Sequence, residues 1–304
     1  MLVLQRIGGS ATPARSMSAT QPTSLPIPVS GTLTLGSELS WRTRQVHAAA
    51  DLIQGARLWR LALTLGWFDI RLRYRGSVLG PFWLTLSTAV MVAALGVLYS
   101  ALFKMELHEY LPYLALSLVL WNTLGGLVGE ACTCFLSAEG MIRAMRMPFT
   151  LYAARVLVRN VLVLLHNVVV IVAVYAWFDV WPGLAAVGAV PGLMLWVVDG
   201  FAVCLLLGAF CARFRDIPPI VGSVMQIAFF ISPVIWKPEL LTGAKRDLLP
   251  LNPFYDLLEI VRAPLLGELP GWHVWMASLG FSLVLVAAAW TVFVRVRGRL
   301  AFWV

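Results

Sequence analysis

Asp69-Ile-Arg-Leu-Arg-Tyr-Arg-Gly-Ser-Val-Leu-Gly-Pro-Phe-Trp83 joins an amphipathic segment to the first long apolar run of the chain. Arg71, Arg73 and Arg75 stand immediately before that run. About 20 apolar residues suffice to cross a bilayer as a helix. Arginines just outside one end mark the cytoplasmic side. This stretch therefore sets the orientation of everything after it. Gly76 and Gly80 offer small surfaces for close helix contact, and Pro81 suits the first turn of a new helix.

Composition agrees with a chain built for lipid. Of 304 residues, 60% are hydrophobic and 12% charged, with mean hydropathy +0.83. A soluble domain is about half apolar and about a quarter charged. The net charge of +8 raises nucleic acid as a partner. The basic residues gather at the ends of apolar runs, however, which points to membrane topology and anionic headgroups instead. Cys132, Cys134, Cys204 and Cys211 lie in or beside apolar runs without zinc-ligand spacing, and read as small buried residues.

Upstream, residues 1–45 are expected to form a disordered cytoplasmic tail, rich in Ser, Thr, Pro and Gly up to about Ser40. It has no signal-peptide core, Arg6 and Arg15 without acids fit a transit peptide on composition, and Met17 is an alternative start. From about Ala50 to Ile70 the period is helical. Leu52, Ala56, Trp59, Leu63, Trp67 and Ile70 share one face, with Gln54, Arg57, Arg60 and Thr64 opposite. Such a helix suits the headgroup plane, or else a soluble partner.

Downstream, spans are expected at about 82–103, 111–135, 156–177, 183–210, 219–236 and 274–294. Arg155 and Arg159 would snorkel from the third. Pro233 would bend the short fifth. The loop from Lys237 to Gly271 carries a helix-start signal at Asn252-Pro253 and is apolar enough to dip into the outer leaflet.

Charge then tests the topology. Arg71, Arg73 and Arg75, then Arg143 and Arg146, then Arg213 and Arg215, then Arg295, Arg297 and Arg299 all fall on one side. The short loops opposite hold only Lys104 among bases, against Glu106, Glu109 and Asp179. In the long loop, Lys237, Lys245, Arg246 and Arg262 are balanced by Glu239, Asp247, Asp256, Glu259 and Glu268. The expectation is an all-α membrane protein of six transmembrane helices, preceded by an amphipathic interfacial helix, with both termini cytoplasmic.

The chain carries no phosphate-binding loop of the Gly-x-x-x-x-Gly-Lys-Ser/Thr type and no hydrolase or metalloprotease motif. No metal site is expected. Asp199, in the fourth span, is an intramembrane functional candidate or a hydrogen-bonded structural aspartate, with His166 and Asn167 as possible partners. Glu130 and Asn122 read as helix-packing groups. Phe82, Trp83, Tyr99, Phe103, Phe229 and Phe230 fit interface belts and packing, or rings facing a conduit and stacking on sugars.

Arg73-Tyr74-Arg75-Gly76-Ser77-Val78-Leu79-Gly80-Pro81-Phe82-Trp83 resembles the membrane subunits of type-2 ABC exporters, most closely those for O-antigen, capsule and teichoic-acid polysaccharides. Met147-Pro148, Phe214-Arg215-Asp216-Ile217 and Leu251-Asn252-Pro253 support it. The resemblance covers about Ala50 to the C-terminus, with a transmembrane domain at 46–304; the tail is longer than the family's usual N-terminus. It implies a half-transporter that is not itself an enzyme and binds no cofactor. Two copies would form the conduit, and two separate ATP-binding cassette subunits would supply ATP and Mg.

It also implies short re-entrant helices between spans five and six. The cargo would be an undecaprenyl-diphosphate-linked polysaccharide crossing the bacterial inner membrane. Arg71, Arg73 and Arg75 would receive the diphosphate or simply anchor the chain. Ser137 to Pro148 would be the coupling segment. Glu139, Arg143 and Arg146, with Arg213, Arg215 and Asp216, would meet the ATPase. Alternative readings are a drug or lipid exporter, an ATP-independent channel or scramblase, and a membrane glycan enzyme using Asp256, Glu259 and Arg262.

Overall fold

The structure, a computed structural model, describes residues 40–80, 82–242 and 248–304. The expected disordered tail up to residue 39, Pro81, and the loop charges Lys245, Arg246 and Asp247 lie outside the described residues. Residues 41–45 of that tail are helical instead.

All regular structure among the described residues is helical. The α-helices are α1 (Trp41–Arg57), α2 (Trp59–Arg73), α3 (Phe82–Phe103), α4 (Leu107–Cys132), α5 (Glu139–Ala144), α6 (Phe149–Phe178), α7 (Ala189–Arg213), α8 (Ile217–Ile231), α9 (Pro253–Leu265) and α10 (Trp272–Trp303). Among the described residues, five segments are long and apolar enough to cross a membrane: α3, α4, α6, the 3-10 turn from Gly183 together with α7, and α10.

The fifth expected span departs from its prediction. α8 has only 15 residues and stops at Ile231. Ser232 is extended at ψ 145, because the proline ring of Pro233 disfavours helical backbone in the residue before it. Pro233 therefore ends the helix rather than bending it. At about 1.5 Å per residue, α8 falls short of the roughly 30 Å hydrocarbon core.

The amphipathic segment is two helices, because Leu58 closes one and opens the next. Ser40 caps the first, its hydroxyl accepting from the Thr43 N–H at 3.3 Å. The face packed on the protein is the small-residue stripe Ala48, Asp51, Gly55, Ala62, Gly66 and Ile70. The predicted apolar face points away from the protein for the most part, with Leu52, Trp59, Leu63 and Trp67 exposed. At Gly66 a Cβ would lie 3.2 Å from the Arg155 carbonyl, so α2 rides on α6 backbone to side-chain depth.

Gly76 and Gly80 do not serve close helix contact. A Cβ at either would meet nothing within 4 Å, and both have positive φ, +88 and +55. They are turn glycines between α2 and α3, which only a residue without a side chain adopts cheaply.

α4 is the central post. Tyr110 and the run Pro112–Trp121 are buried, with α3, α6, α7, α8 and α9 around them. Leu257, Leu258, Ile260 and Val261 of α9 join the same core as Leu114 to Trp121. Asn252 starts α9, its side-chain oxygen accepting from the Phe254 N–H at 3.0 Å. A second core, around Phe135, Tyr152, Cys204 and Phe293, fills the arginine-rich end of the bundle.

Candidate functional site

Two carboxylate hubs organise the arginine-rich end. Asp51 is 1% exposed on α1. It accepts from the backbone N–H groups of Phe149 (3.2 Å) and Thr150 (3.1 Å), capping α6 from 98 residues away. It also accepts from the Thr150 hydroxyl at 2.9 Å and from Arg297 Nε at 2.7 Å. One carboxylate thus ties α1 to α6 and α10.

The second hub joins α2, α4 and α6. Asp69 takes Arg155 in a fork, Nε at 2.7 Å and Nη2 at 2.5 Å, and Arg159 Nη1 at 3.1 Å. Glu130 accepts from Arg159 Nε (2.8 Å), Asn160 Nδ2 (2.7 Å) and Arg73 Nη2 (2.7 Å). Arg155 and Arg159 therefore turn inward to carboxylates and do not snorkel. Glu130 does the helix packing expected of it. Asn122 is exposed.

The three candidate headgroup arginines separate. Arg73 is engaged, and the hydrogen bond it donates to Glu130 raises its pKa, holding it charged. Arg71 and Arg75 are exposed and make no ion pair among the described residues. The hub residues Asp51, Asp69, Arg155 and Arg159 were absent from the sequence-based candidate set. The available signal was an acid on an otherwise packed helix stripe, at Asp51 and Asp69.

The candidate coupling residues gather at the same end. Glu139 and Arg143 pair at 2.8 Å across one turn of α5. Arg143 Nη2 also donates to the Val304 carbonyl at 2.8 Å. Arg213 lies over Phe214 at 5.4 Å and over Trp303 at 6.0 Å. The last turn of α10 therefore touches both groups. Arg146, Arg215 and Asp216 are exposed.

The six candidate aromatics divide. Phe82, Trp83 and Phe230 are exposed. Tyr99 stacks on Phe103 at 5.5 Å, and Phe103 meets Tyr110 edge-on at 6.1 Å. Phe229 packs on Trp121 at 5.7 Å. α3 packs on α4 and α6, whereas α8 packs mainly on α4; Tyr99, Phe103 and Phe229 share the core around α4, while Phe82, Trp83 and Phe230 stay outside it on two different helices. Between α3 and α6 runs a groove of about 580 Å³, lined by Leu86, Val97, Val170 and Trp177 among others.

Asp199 is not partnered by His166 or Asn167. Its Oδ2 accepts from Ser282 on α10 at 2.7 Å, and Oδ1 has no partner among the described residues. His166 Nδ1 lies 2.7 Å from the Leu162 carbonyl, and Asn167 Oδ1 accepts from Thr88 at 3.3 Å. Those two residues stitch α6 to itself and to α3. Among the described residues, no cluster of three or more His, Cys, Asp or Glu is placed to hold a metal. All four cysteines are free and buried. Asp256 and Arg262 are 2% and 1% exposed, which closes them to a glycan substrate.

Residues 60–266 match the ABC-2 type transporter family. The chain is 22% identical over 244 residues to the O-antigen export system permease protein RfbA of Myxococcus xanthus, covering 79% of this chain and 94% of that protein. It is 18% identical over 191 residues to the O-antigen export system permease protein RfbA of Klebsiella pneumoniae, covering 62% and 74%. Long apolar helices, clustered arginines and this match lead to one conclusion: the chain belongs to the ABC-2 type transporter family, as a multi-pass membrane permease.

Proposed function

We propose that this chain is the membrane half of an exporter that moves undecaprenyl-diphosphate-linked, O-antigen-like polysaccharide across the bacterial inner membrane. The observation that carries the reading is the match over 94% of a relative named as an O-antigen export permease. The split of the aromatic rings adds to it. With Phe82 and Trp83 on one helix and Phe230 on another that it barely meets, a ring-lined path needs a second copy. Two copies then form the conduit, and two ATP-binding cassette subunits, which bind the ATP and Mg, dock beneath.

In this reading α8 is the fifth crossing, completed by the chain after it. α9 re-enters from the outer side; its contacts with α4 down to the level of Trp121 support that depth. Both termini are cytoplasmic, following the arginines. Arg71 and Arg75, with free guanidinium forks, receive the diphosphate, while Arg73 stays with Glu130. α5, Arg146 and Arg213 to Asp216 meet the ATPase. Its closure passes to α3 and α8.

A lipid cargo is the second reading, favoured by the apolar groove between α3 and α6. Reconstitution with the ATPase partner separates the two. Export of labelled lipid-linked glycan, lost in an Arg71→Ala, Arg75→Ala chain that still inserts, supports the first. Glycan export unaffected by that change removes the diphosphate role. Phospholipid movement without glycan movement selects the second.

A further inference from the structure

One buried charge takes no part in either carboxylate hub. Arg262, on α9, is 1% exposed and sits at the opposite end of the bundle from the arginine clusters. Its Nη1 is 2.5 Å from the Pro233 carbonyl, 2.8 Å from Tyr113 Oη and 3.1 Å from Ser117 Oγ. Its Nε donates to Glu259 at 3.0 Å, and Nη2 donates to the same carboxylate. The guanidinium carbon lies 4.7 Å from the centre of the Tyr113 ring.

Around it, the end of α8 is tied at several further points. Tyr113 Oη is 2.8 Å from the Pro233 carbonyl and 3.0 Å from that of Trp236. Tyr110 Oη donates to the Ile235 carbonyl at 2.5 Å. Asn252 Nδ2 donates to Ser232 Oγ at 2.9 Å. The last carbonyls of a helix, and those just past it, lack partners in the chain itself. In a medium poor in water such carbonyls must be satisfied from within the protein. Here Arg262, Tyr113 and Tyr110 satisfy those of Pro233, Ile235 and Trp236.

The rest of α8 is held differently. None of its residues is buried. Behind it lies a cavity of about 280 Å³, whose walls include Leu124, Leu127, Gly200, Val203 and Leu285 opposite Val224. The helix is fastened at its C-terminal end and has room behind the remainder.

We propose that Arg262 is a positioning residue that pins the outer end of α8 as a pivot, about which the rest of the helix swings into the cavity during transport. The proposal rests on the reading that α8 lines an ATP-driven conduit. Arginine suits the task because its planar fork grips Glu259 while a second edge reaches the Pro233 carbonyl; a lysine ammonium cannot hold both geometries. A buried ion pair is a weak source of stability beside an apolar replacement, and what it adds here is direction.

Spin-label distances test it, in the complex with its ATPase partner in nanodiscs. One chain carries labels at Ile231→Cys and Val172→Cys, another at Ile220→Cys and Val172→Cys; the native cysteines are buried and stay unlabelled. Dilution with unlabelled chains restricts the readout to distances within one chain. We expect a narrow 231–172 distance that ATP leaves in place, and a 220–172 distance that ATP shifts. Arg262→Lys broadens the 231–172 distance and lowers export about tenfold, the effect of one charge-assisted hydrogen bond, while hydrolysis continues. Tyr113→Phe broadens it less.

A 231–172 distance that stays narrow in both variants overturns the pin. Equal shifts at both ends of α8, or none at either, overturn the swing. Failure of the ATPase to bind instead strikes the conduit reading, and the nucleotide-free widths still decide the pin.

Discussion

α4 and α8 pack against each other and live in opposite surroundings. Sixteen of the 26 residues of α4 are buried, against none of the 15 in α8. α8 is nonetheless made almost wholly of apolar side chains. Lipid tails are as apolar as leucine, so apolarity alone does not drive a helix into a membrane protein's interior. What marks α4 as the post is its polar inventory. Tyr110, Tyr113 and Ser117 reach α9 and the chain after α8, and Glu130 holds Arg73, Arg159 and Asn160. Position in this fold follows directional bonds, and α8, which has few, is left with space behind it.

Breaking one of those bonds gives the largest expected effect. Glu130→Ala leaves buried Arg159 with only Asp69 at 3.1 Å and takes the partner from Asn160, and costs about 3 kcal/mol, read by thermal unfolding in detergent. A loss near zero there would remove the contrast between the two helices. The turn between α2 and α3 comes next. Gly76→Ala puts a side chain on a backbone of φ +88 and costs about 1 kcal/mol in the same assay.

Smaller still is a pH effect at Asp256. Burial, and then the Glu259 charge, raises its pKa from 3.8 to about 7. The folded chain therefore keeps a proton that the unfolded chain releases between those values. Its contribution to stability is whole below the lower value and is lost as pH rises through the upper. Asp256→Asn should gain melting temperature over the native chain at about pH 8 and not at about pH 4; an equal gain at both would mean the carboxyl is not the cause. Ile227→Ala, on the exposed side of α8, should shift unfolding by less than about 0.5 kcal/mol. A shift as large as that of Glu130→Ala would show that α8 is packed like α4 after all.

The sequence made the long helices legible because each is a run of apolar residues closed by charge. α3 has the predicted bounds, and α6 and α10 extend past theirs because Thr150 and Arg297 are held at the hubs. The end of α8 was missed by five residues, although Ser232-Pro233 carried the signal. The apolar face of α1 and α2 was legible from its period, but the stripe that seats them on α6 was not, because small residues rather than large ones bring a helix close to its neighbour. The arginine set before α3 was found, but its division was not. Which arginine meets Glu130 depends on contacts 57 residues apart, and no local period encodes that. The knot at Arg262 was equally invisible, since its partners come from three separate segments.

ATP hydrolysis and glycolipid transport, measured on the purified chain in liposomes with and without a cassette ATPase, test the central claim most directly. The account predicts neither activity from the chain alone and both once the ATPase is added. Hydrolysis by the isolated chain, or glycolipid crossing without its partner, would contradict it.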